Sequence, residues 1–163
     1  MRNAVLAVAI NLGLGGNAAH ALDDLQGRVS VIDGDTLELH GQRIRIFGID
    51  APESGQRCAR ADGSTWRCGR DAALALDDLV QGRTVTCRAR DKDRWSRVVA
   101  VCRVGQLDLG RWMVERGLAT AYRRYSLDYA SAEDEARSAR RGIWAGIFDS
   151  PESWRQRGKY QGM

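Results

Sequence analysis

The stretch from Thr36 to Phe47 constrains the fold of this chain more than any other. Thr36 to Leu39 and Arg43 to Phe47 are short β-type runs on either side of His40-Gly41-Gln42, and Gly41 supplies the turn of a hairpin. Arg43-Ile44-Arg45-Ile46 alternates with period two, which puts Ile44 and Ile46 on a core face and both arginines on the opposite one. Gly27 to Val31 reads as an earlier strand, running into the turn Asp33-Gly34-Asp35. Arg83 to Arg88 and Val98 to Val104 read as two later strands, joined by a segment too charged to be core. A helix is predicted over 70–80, where Ala72, Leu76, Leu79 and Val80 share a face and Gly82 stops it. Further helices are predicted over 107–116, ending at Gly117, and 127–140, closed by Gly142. Five strands with a helix inserted between the third and fourth predict an α+β fold, mainly β barrel. The specific expectation is a five-stranded OB-fold barrel with three packed helices.

Composition agrees with one globular domain: 163 residues, 44% hydrophobic and 28% charged. Lys and Arg number 25 against 21 for Asp and Glu, a net charge of +4 that permits a polyanionic partner without demanding one. All the cationic residues except Lys92 and Lys159 are arginine, the better fork for phosphate oxygens. The two histidines, His20 and His40, argue against a multi-His metal site and a Ser-His-Asp triad. No apolar run is long enough for an ordinary transmembrane span.

Met1 and Arg2 precede an apolar stretch from Ala4 to Leu14, and Ala19-His20-Ala21 follows, the layout of a secretory signal peptide. Residues 1–21 are therefore read as a leader cleaved near Ala21, 22–148 as the domain, and 149–163 as an extended polar tail with little structure. The mature form would be periplasmic or secreted and hold no membrane segment. Cysteine usage fits an oxidising compartment. Cys58 and Cys68 bracket one polar loop, and antiparallel pairing centred on Arg94 and Trp95 sets Cys87 opposite Cys102. The expected disulfides are 58–68 and 87–102; the spacings match no zinc knuckle.

Asp33 and Asp35, then Asp50 and Glu53, concentrate acid in two turns at strand ends, where loops on a rigid scaffold carry function. A metal held there would be oxygen-ligated, hence Ca²⁺ or Mg²⁺. Arg45 and Arg97 complete a constellation suited to phosphodiester hydrolysis, in which a cation and two guanidiniums neutralise transition-state charge and a carboxylate handles water. Residue by residue, ion pairs of Arg45 and Arg97 with Asp35 or Asp50 explain the same positions.

The runs Val31-Ile32-Asp33-Gly34-Asp35-Thr36 and Arg45-Ile46-Phe47-Gly48-Ile49-Asp50-Ala51-Pro52-Glu53 resemble the staphylococcal nuclease (thermonuclease-like) family. The likeness continues through Asp93-Arg94-Trp95-Ser96-Arg97, Glu115-Arg116-Gly117-Leu118-Ala119 and Arg141-Gly142-Ile143-Trp144, and it looks most like the exported bacterial members. The resemblance implies one Ca²⁺ held by Asp35, Asp50 and the backbone carbonyl of Ala51, where the family often has threonine. It implies Asp33 bonded to metal water, Glu53 as general base or water-positioning group, and Arg45 and Arg97 on the scissile phosphate. It further implies cleavage of DNA or RNA to 3′-phosphate and 5′-hydroxyl ends. Trp95-Ser96 stands where the family has Tyr-Gly: Trp95 keeps a stacking surface, and Ser96 matters only if the turn needs positive φ. Tyr122 and Tyr125 fall near the tyrosines that the family sets beside bound nucleotide.

The leading expectation is thus an exported, monomeric, Ca²⁺-dependent nuclease of both DNA and RNA. The main alternative is a catalytically inactive OB-fold module that binds nucleic acid, and a third is an extracellular protein or peptidoglycan binder.

Overall fold

The computed structural model describes residues 24–161; the leader read at 1–21 lies outside them. In chain order the strands are β1 (Leu25–Gly27), β2 (Ser30–Asp33), β3 (Thr36–Leu39), β4 (Gln42–Ile46), β5 (Ile49–Asp50), β6 (Cys58–Ala59) and β7 (Thr65–Trp66), followed by helix α1 (Cys68–Val80). Then come β8 (Val85–Lys92), β9 (Val98–Val104), β10 (Leu107–Asp108), α2 (Leu109–Glu115), β11 (Thr120–Ala121), α3 (Ala130–Ser138), a 3₁₀ turn (Gly142–Ala145) and α4 (Pro151–Gln161).

The predicted hairpin organises the main sheet. β3 and β4 pair antiparallel with Leu37 opposite Ile44 and Thr36 opposite Arg45. Leu37 and Ile44 are fully buried and Ile46 nearly so, which is the apolar face that the alternation requires. The sheet order is β1-β8-β9-β4-β3-β2, with β10 beside β9 and β4 parallel to β9. β1 and β2 stand at opposite ends of that order although only Arg28 and Val29 separate them in the chain. This short N-terminal run therefore links the two edges and curls the sheet into a partly closed barrel. At the crossover a Cβ on Gly27 would lie 2.7 Å from Leu39 Cδ1, so a larger residue there would have to push the end of that side chain aside. The single strand predicted over 27–31 is thus two, because its halves pair with β8 and β3 on different sides.

The fold is α+β and OB-like, with helices packed on a curled sheet, as expected. α1 starts two residues before its predicted first residue. The segment predicted as a helix over 107–116 spends Leu107 and Asp108 on β10, and Asp108 then caps α2 by accepting the Arg111 N–H. The third predicted helix is confined to α3.

The larger correction lies at the C-terminus. The tail expected to be extended forms α4, started by Pro151 at the first helical position, with Ser150 Oγ accepting the Ser153 N–H at 3.2 Å. Its sequence lacks an apolar stripe, so hydrophobic periodicity gave no warning. Among the described residues no helix is long and apolar enough to cross a membrane.

Both predicted disulfides are present. Cys87 and Cys102 face each other in the β8–β9 register and are bonded, as are Cys58 and Cys68. Closing the loop between Cys87 and Cys102 removes about 3 kcal/mol of chain entropy from the unfolded state. Cys58 and Cys68 join Ile143, Trp66, Trp144 and Phe148 in a small apolar cluster apart from the barrel core. The Ala59 N–H donates to the Ile147 carbonyl at 2.8 Å, fastening this cystine loop to the segment that leads into α4.

Candidate active site

The site begins at the turn between β2 and β3. Asp33 Oδ1 accepts the Asp35 N–H at 3.0 Å, a local bond that aims the next carboxylate inward. Asp35 is buried, and its Oδ1 accepts from Arg45 Nη1 at 2.6 Å and from Thr36 Oγ1 at 3.0 Å. Its Oδ2 accepts the Ala51 N–H at 3.0 Å. Burial pushes the Asp35 carboxyl above its ordinary range, Arg45 opposes that rise, and the neighbouring Asp33 charge adds to it.

Arg45 reaches this carboxylate because it lies across from Thr36, on the face opposite Ile44 and Ile46. Its Nη2 donates to Asp50 Oδ1 at 2.9 Å and to the Ile49 carbonyl at 3.3 Å. One guanidinium therefore bridges two buried carboxylates. Asp50 is fixed through its backbone: β5 pairs with β11, and Thr120 Oγ1 donates to the Asp50 carbonyl at 3.0 Å.

Glu53 projects from the chain just beyond Pro52. Its N–H donates to Oε1 of the fully buried Gln56 at 3.2 Å, and Gln56 Nε2 donates to the Asp149 carbonyl at 2.7 Å. The first turn of α1 presses on the same place. A Cβ on Gly69 would sit 1.7 Å from the Glu53 carbonyl oxygen, so only glycine permits this approach. Glu53 Oε1 accepts from Arg155 Nη1 at 2.8 Å. The same guanidinium is bidentate on Asp50, at 2.9 Å to Oδ1 and 3.0 Å to Oδ2. Burial would depress Arg155, but its bonds to Asp50 and Glu53 prevail and hold it firmly charged.

Arg97 reaches the site from the β8–β9 turn. Its Nε donates to Asp93 Oδ2 at 2.7 Å, while Asp93 Oδ1 accepts the N–H groups of Trp95 and Arg97. Burial pushes the Asp93 carboxyl up, yet the bonds from Arg97 and Trp95 outweigh it and leave Asp93 below its ordinary range. A long contact of 3.5 Å from Arg97 Nη1 to Thr36 Oγ1 connects this turn to Asp35. Ser96 has φ +62°, so the turn does need the left-handed conformation, at a cost of about 1 kcal/mol for a residue other than glycine. Trp95 is exposed, with the guanidiniums of Arg94 and Arg97 at 4.0 and 5.2 Å from its ring.

The structure thus brings Asp33, Asp35, Arg45, Asp50, Ala51 and Glu53 into one bonded network and ties Arg97 to it through Thr36. Trp95 stays at the rim. Tyr122 and Tyr125 meet edge to face with centroids 4.7 Å apart, and Tyr125 is exposed. Tyr122 lines a groove of about 510 Å³ with Asp50, Thr120, Trp144 and Glu152. Of the two ion-pair alternatives, Arg45 makes both of its pairs, whereas Arg97 pairs with Asp93 instead. Sequence patterns do not single out Thr36, Gln56 or Arg155, although Thr36 closes the Asp-Gly-Asp-Thr run. The sequence Ser150-Pro151-Glu152, a cap, a helix-starting proline and a first-turn acid, was the available signal for the helix bearing Arg155.

The donors around Asp35 and Asp50 are oxygens, with no imidazole or thiolate in the network, which suits a hard cation. Two buried carboxylates, one of them raised by desolvation, are also a place where added positive charge is favourable. Among the described residues no group of three or more His, Cys, Asp and Glu side chains forms a metal cluster. A cation here would therefore rest on Asp35, Asp50, a backbone carbonyl such as that of Ala51, and water.

Residues 43–146 match the family model described as staphylococcal nuclease homologue. The chain is 39% identical over 129 residues to the succinoglycan biosynthesis protein ExoI of Rhizobium meliloti, covering 77% of this chain and 68% of that one. It is 34% identical over 143 residues to an uncharacterized endonuclease of Escherichia coli, covering 82% of this chain and 87% of that one. An uncharacterized endonuclease of Haemophilus influenzae is 32% identical over 139 residues, covering 80% of this chain and 72% of that one. The matched span starts at Arg43, takes in Arg45, Glu53 and Arg97 and ends just past the 3₁₀ turn, and the chain belongs to the staphylococcal nuclease homologue family.

Proposed function

We propose that this protein is an exported, Ca²⁺-dependent nuclease that hydrolyses phosphodiester bonds in DNA and RNA, leaving 3′-phosphate and 5′-hydroxyl ends. Family membership supports nucleic-acid hydrolysis in general. The observation that carries the finer reading is Arg45 bridging buried Asp35 and Asp50, with the Glu53 carboxylate gathered beside them.

Asp35, Asp50 and the Ala51 carbonyl would hold Ca²⁺, which supplies Lewis-acid stabilisation of phosphate charge when bound. Arg45 would turn the N–H groups left over from Asp35 and Asp50 to the scissile phosphate, and Arg97 would add a second guanidinium as negative charge grows in the transition state. Glu53 would accept a proton from the attacking water. The water oxygen bonds to phosphorus, the bond from phosphorus to the 5′ oxygen breaks, and that oxygen takes up a proton. Trp95 and Tyr122 would offer aromatic faces to bases on either side, and such stacking requires neither a 2′-hydroxyl nor a given sequence. The protein would act as a monomer in the periplasm or outside the cell.

The test is digestion of single-stranded DNA and RNA by purified mature protein, with Ca²⁺ or with EGTA, beside Glu53→Ala. Ca²⁺-dependent cleavage to 3′-phosphate ends, lost in the variant, is the expected result. Binding without cleavage under any divalent ion would replace this reading with the binding-module alternative.

A further inference from the structure

Arg155 comes to the site from α4, outside the matched span of the family. Its fork covers both oxygens of Asp50, and Arg45 takes Oδ1 as well. Guanidinium groups thus fill most of the acceptor positions of Asp50, which number about four in a carboxylate. The same Arg155 group also holds Glu53. The carboxylates that the proposed reaction needs for cation and water are therefore joined to each other by an internal cation.

The contact is built rather than incidental. Gln56 bonds to the Glu53 amide on one side and to the Asp149 carbonyl on the other, so one buried residue sets both the loop carrying Glu53 and the entry to α4. The Ala59–Ile147 backbone bond and the Cys58–Cys68 disulfide brace the same junction. Yet Arg155 is about one-third exposed while Arg45 is only 15% exposed, so Arg155 is the guanidinium that can leave.

We propose that Arg155 is a built-in competitor for the cation, and that α4 is a latch holding Asp50 and Glu53 in the metal-free protein. Cation binding and the Arg155 contact exclude one another at Asp50. The geometry says why: Arg155 covers both oxygens of Asp50, the place a divalent ion would take, so the two positive groups repel and compete for the same acceptors. This inference rests on the cation reading above.

The experiment is calorimetric titration of the mature chain with Ca²⁺, without nucleic acid, for wild type, Arg155→Ala, Arg155→Lys and Asp50→Ala. Arg155→Ala should bind Ca²⁺ about tenfold more tightly than wild type, since a like charge within bonding distance of the ligand has been removed. Arg155→Lys, which keeps the charge and loses the fork, should fall between them. In wild type, added Ca²⁺ should speed tryptic cleavage after Arg155. Equal or weaker binding by Arg155→Ala, or Ca²⁺ protection of Arg155 from trypsin, would overturn the latch while leaving the cation reading standing. If neither wild type nor Arg155→Ala binds Ca²⁺, both fall together.

Discussion

Arg45 and Arg97 converge on one site by opposite means. Arg45 is held by Asp35 and Asp50, buried carboxylates from other segments that share its fork. Arg97 is held by Asp93, four residues away in the same turn, an acid 16% exposed where Asp35 and Asp50 are 5% and 3%. The environments leave different marks on the acids: burial dominates at Asp35 and raises it, whereas hydrogen bonds dominate at Asp93 and lower it. A buried pair is preorganised and costly to break, because removing one partner strands the other charge. A turn-borne pair is set by local backbone geometry and is cheaper to alter.

Removing Arg45 is the severest way to break this contrast. Arg45→Ala should destabilise the fold by about 3 kcal/mol in urea titrations, because buried Asp35 loses its guanidinium and Asp50 is left with Arg155. The same variant should lower phosphodiesterase activity by about 10²–10³-fold or more, the usual cost of losing one charged donor to a transition state. A stability loss no larger than that of Arg97→Ala would remove the distinction between the two sites.

Asp93→Asn probes the local pair, and pH sharpens it. A carboxyl held below its ordinary value of 3.8 stabilises the fold above that pH, and the stabilisation drains away as pH falls through the lowered folded value. Asp93→Asn should therefore cost about 1 kcal/mol near neutrality, and the gap from wild type should close in strong acid. A gap independent of pH would mean that the Asp93 charge contributes nothing. Ser96→Gly should have the smallest effect, a gain of about 0.5–1 kcal/mol from relief of its positive φ. Thermal melts compare this variant with wild type, and a lower melting temperature would show that the serine supports the turn in some other way.

Much of the floor of the site was legible in the sequence. Alternation in Arg43-Ile44-Arg45-Ile46 forces Arg45 onto the face away from the core, and strand pairing then brings it beside Asp35. The Cys87–Cys102 bond followed from antiparallel register alone. The split of the first strand was not legible, since Leu25 to Asp33 shows one continuous pattern and only barrel closure assigns its halves to different partners. The strain at Ser96 was visible only as a question, because φ is set by the turn that Asp93 ties.

The sequence by itself determined the elements whose residues interact with near neighbours or with a strand at fixed period: the hairpin, β9, the first helix and the order of acids and arginines along the chain. β8 runs on to Lys92, through residues expected in the connection, because pairing with β9 carries it there. The tertiary structure decided which charges meet. Arg155 is separated from Asp50 by 105 residues and from Glu53 by 102, and no local pattern encodes that meeting. Hydrophobic periodicity reports which face of an element avoids water, whereas an ion pair between distant segments depends on where the whole chain returns. That return is fixed here by the buried Gln56 and by the cystine loop bonded to the segment leading into α4.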